Sequence, residues 1–253
     1  MATAAQAQAL RIGGTGSALG LLQQVGAEFT SAAEIKIEVV RALGSTGAIR
    51  ALADGKLNIA VSARPLKADE AAAGLAQVAV LRTAFVFATS HRNPNGLKSG
   101  ELARIYASGD QVWADGTPIR PILRPRSETD SALLGAMFSG MDAAIEATRR
   151  RPDVPTAATD QDNVDMGERA TGSLIATTAA QLATEHPNLR VVMLDGVLPT
   201  LANFESNAYP FTKKLYVIVR ATGGPEARRF VDFLRSPQGM KALRAAETLP
   251  GVE

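Results

Sequence analysis

The chain has 253 residues, of which 46% are hydrophobic and 21% charged, with a formal net charge of +2. That length permits one large domain or two modest ones, and the composition excludes a fibrous or disordered chain. The absence of cysteine excludes disulfides, thiol catalysis and thiolate metal sites, and the slight positive charge forms no basic stripe that would mark a nucleic-acid partner.

Met1 to Ala9 is small, polar and uncharged. Without a basic n-region or an apolar h-region it is not an intact signal peptide, but it resembles the small-residue stretch around a signal cleavage site, so export is expected. No apolar run approaches the roughly 20 residues that span a bilayer.

Residues 9–12 read as a short strand ended by Gly13-Gly-Thr-Gly16, and Ser17 caps a helix reaching Phe29 with Leu19, Leu21, Leu22 and Val25 inward. Residues 35–40 alternate and are β-branched, as a strand requires. Gly44-Ser-Thr-Gly47 then breaks the chain before a helix from Ala48 to Ala53, and residues 57–61 form the next strand. Strand, glycine turn, helix, strand is the signature of a mostly parallel sheet in an α/β fold. An apolar run over 78–89, a short helix over 102–106 and a strand over 119–123 follow. Ser127-Glu-Thr-Asp130 leads into a long helix expected to end near Arg149-Arg-Arg151, where cations complement the helix dipole. Residues 172–183 read as a strand and helix, 189–194 and 215–219 as strands, and 226–234 as a helix with Phe230 and Phe233 inward.

Three glycine–hydroxyl junctions carry the chemistry: Gly13–Ser17, Gly44–Gly47 and Ser127–Ser131, each ahead of a predicted helix. A helix start presents unpaired backbone N–H groups and a partial positive charge. Glycine admits a ligand close to the backbone, and Ser or Thr adds a hydroxyl, so such a junction binds an anion without a cationic side chain. In an open α/β fold such loops converge at the carboxyl ends of strands. Arg64, Arg124 and Arg126 lie beside them and can grip an oxyanion with two N–H groups. Each junction taken singly is also ordinary capping.

Rival motifs fit less well. Leu19 stands where a dinucleotide fingerprint needs its third glycine, and Val40-Arg41 ends the second strand without an acid. No Gly-Lys-Ser/Thr triplet is present. Asp160-Gln-Asp-Asn163 lacks the glycine and distal glutamate of a calcium loop and reads as a polar loop. His91 and His186 are far apart, which disfavours a zinc site or a serine triad, and no cofactor is indicated.

The stretch 44–66, GSTGAIRALADGKLNIAVSARPL, resembles the periplasmic phosphate-binding proteins of ABC transporters, with their serine-rich glycine loop, short helix and Ser-x-x-Pro-Leu turn. The likeness continues at Trp113-Ala-Asp-Gly116, at 194–200, at 209–216 and at 230–239. It implies a type II periplasmic-binding fold: two α/β lobes, residues 1–82 plus 205–253 and residues 83–204, joined by crossover strands near 85–89 and 214–219, with a central cleft. It further implies a monomeric, non-enzymatic, extracytoplasmic receptor that delivers phosphate to an ABC transporter permease. Its binding loops correspond to Thr15, Gly16 and Ser17, to Ser45, Thr46 and Gly47, and to Ser62 and Arg64. In the second lobe Arg124, Ser127, Thr129 and Asp130 correspond more loosely, because Glu128 brings a negative charge to the family's Ser-Gly-Thr tripeptide.

Phosphate binders of this kind carry an Asp after the Ser of the third loop, which accepts the proton of the ligand. Here Ala63 takes that place. The expectation is weak discrimination of phosphate from sulfate, with Arg64 attracting either, and Asp130 as the alternative acceptor. Sulfate, another tetrahedral oxyanion and a small organic acid stay open as ligands. A sensor or interaction protein on the same fold, or a phosphate-ester hydrolase on a related scaffold, is the competing function.

Overall fold

A computed structural model describes residues 9–41 and 43–251; the stretch up to Gln8, on which the export reading rests, lies outside them. In chain order, β1 (Leu10–Gly14) is followed by a 3-10 turn (Gly16–Ala18), α1 (Leu19–Ala33), β2 (Ile37–Val40), α2 (Gly44–Ala53), β3 (Ile59–Ser62), α3 (Ala68–Ala72) and the long β4 (Leu75–Thr89). Then come α4 (Leu102–Ser108), β5 (Arg120–Pro121), α5 (Thr129–Met137), α6 (Met141–Thr148), α7 (Asp160–Arg169), β6 (Ser173–Thr178), α8 (Ala179–Glu185), β7 (Arg190–Val191) and α9 (Leu201–Glu205). β8 (Thr212–Arg220), α10 (Pro225–Arg235), α11 (Pro237–Ala245) and β9 (Thr248–Pro250) complete the chain. Among the described residues no helix is long and apolar enough to cross a membrane.

The described residues form two compact units, one running to Arg82 and resuming at Lys214, the other Thr83–Lys213. The chain passes between them twice, within β4 and within β8. The second crossing falls later than the expected 204/205. Residues 205–213 pack in the second unit, where the Tyr209 hydroxyl donates to the Phe85 carbonyl at 3.0 Å and the Phe211 ring lies 4.8 Å from that of Phe138.

In the first unit β1 pairs in parallel with β2 and β3, and β3 pairs antiparallel with β8, giving the order β2-β1-β3-β8. Strand alternation divides the core. Leu10, Ile12, Ile59, Val61, Leu215 and Val217 face α1, α10 and α11, meeting Leu22, Phe29, Phe230 and Leu243. Ala60 and Ile218 face the other way, onto Ala48, Ile49 and Leu52 of α2. Phe29 closes the larger layer edge-on against Phe230, ring centroids 5.2 Å apart.

In the second unit the end of β4 pairs antiparallel with β6 and β7, and β5 runs parallel to β6. Ala88, Ile122, Val164, Ile175 and Leu189 form its core. The single long helix expected after Asp130 is two helices. Phe138, in extended backbone, ends α5, and Gly140, at φ +75°, takes a left-handed conformation from which α6 starts. Asp160–Asn163 is no loop but the first turn of α7, where the Thr159 hydroxyl accepts from Asp162 N–H and the Asp162 carboxylate accepts from Thr159 N–H, each at 3.0 Å. The strand expected over 189–194 shrinks to the two residues of β7.

Candidate functional site

At the carboxyl end of β1 the chain has no room for a side chain at Gly14, where a Cβ would lie 2.2 Å from the Val61 carbonyl oxygen. Glycine lets β1 and β3 close up, and Thr15 N–H donates to that carbonyl at 2.9 Å. Thr15 and Ser17 are buried at 5% and 1% exposure with their hydroxyls 3.5 Å apart, and Gly16 between them is half-buried. Ser45, Thr46 and Gly47 belong to the first turn of α2 rather than to a loop before it. That turn touches the same strand end, since the Ser45 hydroxyl accepts from Ala63 N–H at 2.9 Å.

Ser62, fully buried, closes on its own turn, donating to the Arg64 carbonyl at 2.7 Å and accepting from Arg64 N–H at 3.1 Å. The first unit therefore gathers the hydroxyls of Thr15, Ser17, Ser45 and Ser62 at the carboxyl ends of β1 and β3. The connection from β1 leads to one side of it and the next connection to the other, so this is the point where the strand order reverses.

Arg64 is not the free cation expected from the sequence. Its two terminal nitrogens grip Glu70 at 2.8 and 2.6 Å, and one lies 3.5 Å from the Thr46 hydroxyl. The guanidinium holds the Glu70 carboxyl down at about 2, helped by Lys67 N–H, and Glu70 in turn raises Arg64. Arg126 is likewise forked onto Glu146 and exposed.

Helix starts differ across the chain in a way that bears on ligand binding. Thr159, Thr178, Thr200 and Ser236 cap α7, α8, α9 and α11 with their own hydroxyls. The 3-10 turn after Thr15, the start of α2 and the start of α5 have no side-chain cap, although hydroxyls stand beside all three. The starts of α4, α6 and α10 also have no side-chain cap, so what sets the first three apart is the hydroxyls beside them.

In the second unit Arg124 is 4% exposed. One terminal nitrogen donates to the Ala157 carbonyl at 2.7 Å, the other lies 3.5 Å from both Glu128 and Asp160, and Nε has no partner. Asp130, at the second position of α5, forms a buried ion pair with Lys213. Burial pushes the Asp130 carboxyl up while Lys213 opposes the shift. Burial also raises Glu128, against the pull of Arg124. Ser127 is exposed on the turn before α5, and Thr129, the first residue of that helix, is half-buried.

Sequence reasoning missed Glu70 and Lys213, and it placed Asp160 in a loop. For Lys213 a signal existed: it shares strand parity with Leu215 and Val217, so alternation points it inward. Among the described residues no group of three or more His, Asp or Glu side chains is placed to hold a metal. His91 lies 3.0 Å from Asp115 and stacks on Trp113.

A family model described as the PBP superfamily domain matches residues 2–238. No curated protein sequence matches the chain. Among solved structures, the chain is similar to a substrate-binding protein from Clostridium perfringens, assigned to phosphate ABC transport and holding phosphate. The TM-score is 0.79 at 17% identity, covering 97% of this chain and 100% of that one. It is also similar to a phosphate-binding protein from Stenotrophomonas maltophilia (TM-score 0.69, 15% identity, 97% and 91% covered). A third likeness is to an ABC-type phosphate transport receptor from Vibrio cholerae (TM-score 0.64, 17% identity, 95% and 99% covered). At such identities the shared property is the fold. With 2–238 matched and this architecture, the chain belongs to the PBP superfamily and has the type II periplasmic-binding fold that its motifs resemble.

Proposed function

We propose that the chain is an extracytoplasmic receptor that binds a small tetrahedral oxyanion, phosphate first, and passes it unchanged to an ABC transporter permease. The observation that carries this reading is the gathering of Thr15, Ser17, Ser45, Thr46 and Ser62 with two uncapped helical starts at the strand-order reversal of the first unit. Hydroxyls and backbone N–H groups suit a multiply hydrogen-bonded anion better than a cation or an apolar ligand. In the second unit, taken by itself, Arg124, Ser127, Thr129 and Asp130 stand at or near the uncapped start of α5. Phosphate is the first choice because similar solved structures include phosphate-binding proteins. Among the described residues no base is bonded to a site hydroxyl in the way that nucleophilic catalysis requires, and the receptor is expected to act as a monomer.

A thermal-shift screen over phosphate, sulfate, molybdate, tungstate and small carboxylates tests the reading. A ligand at 100 times its Kd stabilises the native state by about 2.7 kcal/mol, enough to raise Tm clearly. Phosphate is expected to raise Tm. A Tm indifferent to every tetrahedral oxyanion overturns the proposal.

A further inference from the structure

The first unit carries two grooves that adjoin at Arg220, away from the hydroxyl cluster. Leu10 and Arg11 open β1 and Asn58 stands just ahead of β3, whereas the hydroxyls gather at the carboxyl ends of the same strands. One groove, of about 490 Å³, sets the apolar side chains of Val78, Val219, Ala227 and Val231 beside Arg220, Arg228 and Arg235. The other, of about 590 Å³, is lined by Arg11, Lys56, Arg220 and Arg229. Asp232 and Glu226 are the carboxylates of the two linings, so six cations face two anions in a chain whose net charge is only +2. The sequence scatters these residues from Arg11 to Arg235, and no basic run announces the patch.

Arg11 and Lys56 have carboxylates of their own in Glu38 and Asp54, at 3.2 and 3.9 Å. Among the described residues no carboxylate pairs with Arg220, Arg228, Arg229 or Arg235. Backbone carbonyls hold these four instead. Arg220 donates to Leu52 at 3.0 Å, Arg228 to Gly223 at 3.3 Å, Arg229 to Ala33 at 3.5 Å and Arg235 to Val78 at 2.7 Å. Each tether uses one terminal nitrogen and leaves the other without a partner among the described residues. A guanidinium held in this way is preorganised to meet a carboxylate. Arg228 and Arg235 lie two turns apart on one face of α10, with Val231 between them in the chain. The patch thus mixes unpaired cations with aliphatic surface. A bare phosphate chain would leave the valines uncovered and meet repulsion from Asp232 and Glu226.

We propose that this face of the first unit docks an acidic segment of a partner protein. Its carboxylates pair with Arg220, Arg228, Arg229 and Arg235, and its aliphatic side chains cover Val78, Val219 and Val231. Aliphatic surface beside arginine is where protein partners gain binding energy, and the charge decides which partner is accepted. The inference stands independently of the oxyanion reading.

Fluorescence anisotropy with a labelled peptide, Glu-Asp-Leu-Val-Asp-Glu-Leu, tests it on the full chain. A second peptide of equal charge carries Ser in place of Leu and Val, and polyphosphate and phosphatidylglycerol vesicles supply the other anions. Wild type is expected to bind the first peptide saturably and the Ser peptide about tenfold more weakly, because only the first buries aliphatic side chains. Arg228→Glu/Arg235→Glu is expected to weaken the first peptide by about tenfold or more, since like charges then face each other. Arg228→Gln/Arg235→Gln removes the charge and retains N–H donors for the Gly223 and Val78 carbonyls, so the test survives if the reversal does not fold. The same direction of change is expected there, at smaller size. Thermal melting shows which variants are folded. Equal binding of the two peptides, binding unchanged in a folded variant, or no binding of the first peptide by wild type overturns the proposal. Arginine-dependent capture of polyphosphate or vesicles without capture of the peptide also overturns it. Failure to bind phosphate touches only the oxyanion reading.

Discussion

Arg64 and Glu70 show how one pairing changes what a candidate site residue can do. A lone arginine near the end of β3 would draw any anion. Bridged by both terminal nitrogens to Glu70, with side chains only 20% and 17% exposed, it is a compensated dipole that fixes the turn after Ser62. Glu70 drops from the ordinary 4.5 to about 2. A carboxyl lowered in the folded state contributes stability that is fully present above its unfolded value and lost as pH falls through its folded one. Urea unfolding of wild type and Glu70→Gln is therefore expected to show a stability gap at pH 7 that shrinks between about pH 4.5 and 2. A gap that stays constant with pH would place the effect in packing instead. Releasing Arg64 in the same variant is expected to tighten phosphate and sulfate alike. Ala63→Asp is expected to weaken sulfate more than phosphate in calorimetry, because only phosphate can offer the new carboxylate a proton. The hydroxyl and glycine residues proposed for the site stand out in the sequence by their type and local spacing. The charge partners were not, since spacing did not reveal that Arg64 would meet Glu70 six residues on or that Asp130 would meet Lys213 from 83 residues away.

Among the elements, a tight constraint is the β1–β3 contact. A methyl at Gly14 meets the Val61 carbonyl oxygen, which belongs to backbone and cannot swing away. Gly14→Ala is expected to cost about 1–3 kcal/mol, the usual range for overpacking, and to shift the neighbouring Thr15 N–H bond. Urea unfolding reads the loss, and a neutral result would mean that β1 and β3 can part without penalty. The early βαβ elements were readable because period-two strands alternate there with glycine-broken helices. The break between α5 and α6 was not, because the extended backbone of Phe138 and the left-handed angle of Gly140 make it without interrupting the hydrophobic pattern. Motifs that carried the family resemblance prove largely architectural. Trp113 donates from its indole to the Gly172 carbonyl at 3.2 Å, and Asp195, at φ +51°, accepts from Ser99 N–H at 3.0 Å. They specify turns and packing, which is why they announce the fold more firmly than the ligand.

For the whole molecule, the chain builds two α/β units and passes between them twice, once in β4 and once in β8. A discontinuous first unit of this kind was legible from the resemblance of its motifs. The later crossing at Lys213 was not, because the aromatic packing of Tyr209 and Phe211 decides it, and only the folded chain shows which rings they meet. The charge of +2 gives no strong long-range attraction for an anion, so the proposed affinity would have to come from local donors. Titration of inorganic phosphate into the purified full chain by calorimetry measures this directly. One saturable site per chain, weakened by Thr15→Ala or Ser45→Ala, is the expected result. The absence of saturable binding of phosphate, sulfate or any other tetrahedral oxyanion to the folded protein would contradict it.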